Sequence, residues 1–374
     1  MIRYVKNLLS ASVLAYKVHS DSSPQFTEQN KPSMTSTSEK HPVLPFKPAR
    51  LIKGRHLQTL WAPLFRRRPN IERWRERITL PDGDFVDLDW AGPTRGPIVM
   101  ILHGLTGSSE SPYAIGLQAA LKSHGIRSFV MHFRGCSGEP NLRPRLYHSG
   151  ETEDLEDVFQ LIRSRHPSTP LFAVGYSLGG NVLLKWLGER ETPPDIEGAI
   201  AVSVPYDLGV SSVSLDKGFS KIYRDRMMNE LKLLLTRKKR LFHRSNADYH
   251  SIYDSLGDFR KHITFSAFDE HVIAPLHGFA SARDYYARSS SKQFLKNVQV
   301  PTLLIHSKDD PLMTEDVVPK PEEISEYITT EFYPHGGHVG FVAGSVFKPR
   351  YWLEERIPRF FLQQLQAKKQ NDTE

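Results

Sequence analysis

Six residues, Gly175-Tyr176-Ser177-Leu178-Gly179-Gly180, constrain this chain more than any other stretch. The apolar run Leu171 to Tyr176 leads into them, and a helical pattern from Leu178 to Arg190 leads out. The spacing predicts a strand that turns sharply into a helix, with the Ser177 side chain standing at the bend. Glycines two before and two after the serine leave room for helix and strand to close on each other. The bend also sets Ser177 at a helix N-terminus, where partial positive charge favours a developing anion.

The rest of the chain supplies a sheet for such a unit. Phe85 to Trp90 alternates like a half-buried strand. Ile98 to Leu102 and Ser128 to Phe133 are continuous apolar runs that suit strands buried on both faces. Ala199 to Val204, Thr302 to His306 and Thr329 to Tyr333 complete the set. Helices are predicted over Pro112 to Ser123, stopped by Gly125, over Thr152 to Arg165, with acids at its start and arginines at its end, and over Tyr351 to Gln366. Strands alternating with helices predict an α/β fold: a mostly parallel sheet covered by helices on both faces.

Tyr206 to Asn297 breaks the rhythm. Its amphipathic stretches, such as Ser220 to Thr236 and His277 to Ala287, predict a helical cap over about 206–297, inserted in a domain of residues 43–374. Residues 1–42 read as a disordered or targeting tail. Met1 to Ser20 carries Arg3, Lys6 and Lys17 without an acid, and Met34 is an alternative start.

A serine on a strand-to-helix bend becomes a nucleophile when an acid and a histidine follow it, in that order. After the strand Thr302 to His306 come Asp309 and Asp310. After the last strand come His335 and His338. We prefer His338, because Gly336 and Gly337 free the loop that delivers the ring. We prefer Asp310, further along its turn and just before Pro311; Asp309 and His335 are then neighbours with structural hydrogen bonds. The oxyanion of an acyl-transfer intermediate needs two backbone N–H donors, assigned to Leu178 and to Leu105 in the loop after Leu102. His103 is read as ordering that loop.

Composition narrows the alternatives. The net charge of +7 allows weak attraction to anionic surfaces such as lipid headgroups. The runs Arg66-Arg67-Arg68 and Lys238-Lys239-Arg240 come with no nucleic-acid motif, so no nucleic-acid partner is expected. One cysteine, Cys136, makes no internal disulfide, which fits a cytoplasmic chain. Sixteen histidines without a metal-binding spacing predict no metal and no cofactor. The partner expected is a small-molecule ester. Nothing in the sequence distinguishes a monomer from a homodimer.

Several longer segments carry a resemblance: His56-Leu57-Gln58-Thr59, Leu80 to Phe85, Met131 to Glu139, Tyr147 to Thr152, Gly175 to Asn181 and His335 to Phe341. Through them the chain resembles the YheT-type hydrolases, a branch of the α/β-hydrolase superfamily. The resemblance implies the α/β-hydrolase fold and carboxylesterase-like activity on small or medium acyl esters. It also supports Ser177, Asp310 and His338 as a triad. Related eukaryotic members imply an alternative, an acyltransferase that makes esters with the same three residues.

Overall fold

The apolar runs assemble into one sheet in the computed structural model, which describes residues 45–371; the tail read over 1–42 lies outside the described residues. The strands are β1 (Trp74–Thr79), β2 (Phe85–Ala91), β3 (Ile98–Leu102), β4 (Arg127–Met131), β5 (Leu171–Tyr176), β6 (Gly198–Val202), β7 (Thr302–Ser307) and β8 (Ile328–Tyr333). Their order across the sheet is β1-β2-β4-β3-β5-β6-β7-β8. β2 pairs antiparallel with β1 and β4, and every other pairing is parallel.

Both faces of the sheet are covered, and the two-residue period of a strand shows how. Leu171 and Ala173 of β5 face the core shared with α3 (Glu153–Arg165) and α4 (Leu178–Gly188), where Phe159 meets Trp186 at 5.2 Å between ring centroids. Phe172, between them, packs on Phe361 of the C-terminal helix α9 (Leu353–Asn371) at 4.5 Å. That helix packs beside α2 (Pro112–Ser123) on the opposite face. No helix among the described residues is long and apolar enough to cross a membrane.

β1 escapes the sequence reading because half of Trp-Arg-Glu-Arg-Ile-Thr is charged. Its arginines answer acids directly opposite on β2: Arg75 faces Asp89 and Arg77 faces Asp87. Each guanidinium grips its carboxylate through two bonds of 2.7–2.9 Å. β2 is therefore buried along its whole length rather than half-buried. Burial alone would raise the Asp87 carboxyl, but the Arg77 fork outweighs it and holds the group below its usual range.

Between β6 and β7 the described chain is helical: α5 (Leu208–Ser214), α6 (Ser220–Ser245), α7 (Ala247–Ser255), shorter turns, and α8 (Ala282–Ser289). The single helix expected over His277 to Ala287 is broken. Gly278 adopts φ +73°, ending the turn Ala274–His277, and the Ser281 hydroxyl accepts the Asp284 N–H to start α8. α6 is tied to the sheet side by Lys238, whose side chain is completely buried. Its ammonium donates to Asn141 Oδ1 at 2.7 Å and to the carbonyls of Arg143, Pro144 and Arg145 at 2.5, 3.3 and 3.0 Å. Asn141 in turn donates to Asp84, which also receives Arg134.

Lys238→Met keeps the length of the side chain and removes one donor from each of four acceptors, the only one among the described residues in the case of Asn141 Oδ1. A loss of about 1–3 kcal/mol of stability is expected, because Asn141 Oδ1 is left buried without a donor while the three carbonyls keep bonds from Asn141 Nδ2 and Tyr253 Oη. Chemical denaturation of the two proteins measures it, and a difference near zero contradicts the clamp.

Candidate active site

The bend at Ser177 is built by close packing. A Cβ on Gly179 would lie 2.5 Å from the carbonyl oxygens of Leu102 and His103, and one on Gly175 would strike the backbone of Gly179 and Gly180. Without those side chains, α4 begins against the ends of β3 and β5. Ser177 itself sits at φ +52°, ψ −120°, a conformation that costs a non-glycine residue about 1–3 kcal/mol. Its N–H donates to Val202 O at 2.9 Å, at the end of β6, and its carbonyl accepts the Gly180 and Asn181 amides.

His338 reaches the same strand end by another route. The Val339 N–H donates to Ser203 Oγ at 3.0 Å, one residue beyond the carbonyl that holds Ser177. His338 Nδ1 donates to Asp310 Oδ2 at 2.7 Å, and the other Asp310 oxygen accepts the Leu312 N–H at 2.9 Å. A carboxylate can only accept, so Nδ1 carries the hydrogen and the Nε2 lone pair stays available. Asp309 serves a different histidine. It accepts from His335 Nδ1 at 3.2 Å, from the Gly337 N–H at 3.0 Å and from Ser307 Oγ at 2.7 Å. No hydrogen bond joins Ser177 Oγ to His338 in this structure, a geometry that commonly tightens only when substrate binds.

Leu105 lies in a loop whose two neighbouring amides are already used. The Gly104 N–H donates to Tyr113 Oη and the Thr106 N–H to Tyr147 Oη, both at 2.9 Å. Among the described residues the N–H groups of Leu105 and Leu178 have no hydrogen-bond partner. A Cβ on Gly104 would lie 3.2 Å from Ser177 Cβ, so the loop rests against the serine. His103 is buried below it. The Phe133 N–H donates to its Nε2, so Nδ1 carries the hydrogen and donates to Gly104 O at 2.7 Å. Burial, with His132 nearby, pushes its pKa down to about 3, so the ring stays neutral and holds the loop.

Two residues in the site carry no role in the sequence reading. Gln58, fully buried on α1 (Arg55–Phe65), donates to Ile52 O and Val342 O and accepts the Val342 N–H, pinning the loop beyond His338. Thr59 accepts the His338 N–H on its hydroxyl at 2.9 Å. Both lie in the His56-Leu57-Gln58-Thr59 segment, where an amide and a hydroxyl ahead of the first strand are the only signal. Of the two tyrosines that leave the Leu105 amide unpaired, Tyr147 opens the segment Tyr147 to Thr152 that carries the resemblance, while Tyr113 gives no signal.

A cavity of about 110 Å³ opens beside Ser177, Leu178 and Leu105. Its walls come largely from the helical segment and include Leu208, Leu231, Phe265 and Ile273, with Leu312 and Met313 from the chain after β7. The loop Arg134 to Gly138 does not line it; Arg134 is committed to Asp82, Asp84 and Asp154. No group of acids, histidines or cysteines among the described residues could hold a metal ion.

A family model described as alpha/beta hydrolase fold matches residues 97–345. YheT of Escherichia coli (strain K12) is 40% identical over 86% of this chain and 94% of its own. Phospholipase ABHD3 of Homo sapiens is 28% identical over 77% of this chain and 71% of its own length. Among solved structures, the Pyrococcus furiosus esterase Pf2001 superposes with a TM-score of 0.52 at 16% identity, covering 87% of this chain and 99% of that one, a likeness of fold.

Cys136 lies in the loop that Arg134 anchors, and burial pushes its thiol up to about 12, with a Tyr147 hydrogen bond working against the rise. Since only the thiolate reacts, iodoacetamide at pH 8 should alkylate the native protein on the order of 10³-fold more slowly than the unfolded chain. Mass spectrometry of the two reactions tests this, and equal rates contradict it.

Proposed function

The chain belongs to the alpha/beta hydrolase fold family, in its YheT-type branch of esterase- and lipase-like enzymes, and on that premise we propose that it cleaves carboxylic esters through Ser177, His338 and Asp310. The observation that carries this reading is the 2.7 Å bond from His338 Nδ1 to Asp310, made by a loop tied to the strand end that also holds Ser177. His338 Nε2 takes the hydroxyl proton as Ser177 Oγ attacks the ester carbonyl. Asp310 holds the ring in the required tautomer and stabilises its charged form. The Leu105 and Leu178 amides receive the negative charge that develops on the carbonyl oxygen, and the fixed Tyr113 and Tyr147 bonds keep the loop from reorganising as it does. The C–O bond then breaks, the alcohol leaves with the proton from His338, and the acyl group stays on Ser177. Water attacks next and gives a proton to His338; the bond from the acyl carbon to Ser177 Oγ then breaks, Ser177 takes that proton back, and the acid is released.

Relatives support the class of substrate. YheT carries the word esterase in its name, and relatives are named phospholipase and monoacylglycerol lipase. The apolar side chains around the cavity, Leu208, Leu231, Phe265 and Ile273 among them, suit an acyl group. The single cysteine fits the cytoplasmic placement we propose.

Ser177→Ala is expected to lower kcat on p-nitrophenyl butyrate by about 10⁶-fold and to abolish labelling by a fluorophosphonate probe. Asp310→Asn should cost about 10⁴-fold through the wrong imidazole tautomer, whereas Asp309→Asn should cost far less. Steady-state rates of the three variants decide. Near-normal turnover in Ser177→Ala refutes the nucleophile, and a larger loss at Asp309 than at Asp310 moves the acid by one residue.

A further inference from the structure

Asp269 is the only acid among the described residues that line the cavity, and it is paired there with Tyr286. Asp269 opens a single π-helical turn, Asp269–Ile273, a backbone form often found at functional sites. Its side chain lines the same cavity as Ser177 and is more than nine-tenths buried. Tyr286 of α8, another lining residue, donates to Asp269 Oδ2 at 2.7 Å. That is its only hydrogen bond among the described residues, so Oδ1 has no partner. Burial, with Tyr286 as a partial counterweight, pushes the carboxyl up to about 7.

An ester with only alkyl groups would fill the cavity badly. Its chain would seal Oδ1 from water and offer no hydrogen bond in return, an unfavourable arrangement for a carboxyl in either protonation state. A hydroxyl answers both states, donating to a carboxylate and accepting from a carboxylic acid. Resting on the ester-hydrolase reading, we propose that Asp269, steadied by Tyr286, forms a subsite that binds a hydroxyl group of the substrate and so selects hydroxylated esters. The hydroxyl could belong to the acyl part or to the alcohol part, and the two are separable by experiment.

Three esters of similar size provide the test: propyl butyrate, propyl 3-hydroxybutyrate and 2,3-dihydroxypropyl butyrate, with acid release followed in a pH-stat. The wild-type full chain is expected to favour at least one hydroxylated ester over propyl butyrate by about tenfold or more in kcat/KM. The favoured one tells which side of the ester enters the subsite. In Asp269→Leu the ratio should fall to about one. Should that variant fail to fold, Tyr286→Phe, which keeps the carboxyl and removes the group that orients it, should reduce the ratio several-fold. Fluorophosphonate labelling of Ser177 reports a folded site in each protein. A wild type that cleaves all three esters equally, or a ratio unmoved in the labelled variants, overturns the subsite and leaves the hydrolase reading intact. A wild type that labels but cleaves neither hydroxylated ester also overturns it. A wild type that neither labels nor cleaves any ester sinks the reading on which the subsite rests.

Discussion

The structure depends on how closely a helix can approach a sheet at one point. α4 starts where the ends of β3 and β5 leave space only for backbone, and the glycines at 175 and 179 make that contact possible. The approach forces Ser177 into a left-handed backbone conformation, held by its amide bond to Val202 O. The strain is small beside the core that maintains it. Leu183, Leu184, Trp186 and Leu187 on the same helix are buried, and each large apolar side chain removed from water contributes about 1.5–3 kcal/mol. Packing thus keeps one hydroxyl at a bend that a free peptide would relax.

Charge plays the complementary part at the edges. The antiparallel end of the sheet closes through arginine–aspartate forks between β1 and β2. Further in, Asp84 gathers Arg134, Asn141 and the Leu142 and Arg143 amides, and Lys238 joins the far side of Asn141. These buried groups are paired almost without remainder, as their desolvation requires. The effect is positional: loop 141–145 is tied to β2 on one side and to α6 on the other. α6 contributes Met227 and Leu231 to the cavity wall, so the ion network sets where that wall stands.

Against this background Asp269 is the exception. Asp84, Asp87, Asp89 and Asp154 meet guanidinium groups and Asp310 meets an imidazole and an amide, while Asp269 meets a single phenol and lines the cavity. An incompletely satisfied carboxyl is costly in a core and useful in a binding site, where a ligand completes it.

Much of the fold was legible in local patterns. The apolar runs at 98–102, 171–176 and 302–306 became parallel strands, and Pro112–Ser123 and the helix after Ser177 formed where periodicity and glycine stops put them. Burial on both faces writes itself as an unbroken apolar run, and a nucleophile bend writes itself as spaced glycines. β1 stayed hidden because its signal is charge pairing with a partner strand, and the break at Gly278 because a helical pattern ran on through it. Beyond the serine, the candidate site rests on contacts between distant residues. Which aspartate faces His338 depends on the path of the turn after β7. The His338 amide finds Thr59 from 279 positions away, and Asp269 meets the cavity through the packing of separate helices. Sequence alone determined which residues were available for the chemistry, since residue type and short-range period carry that information. Tertiary structure decided which of them meet, because a hydrogen bond between elements far apart in the chain leaves no period to read.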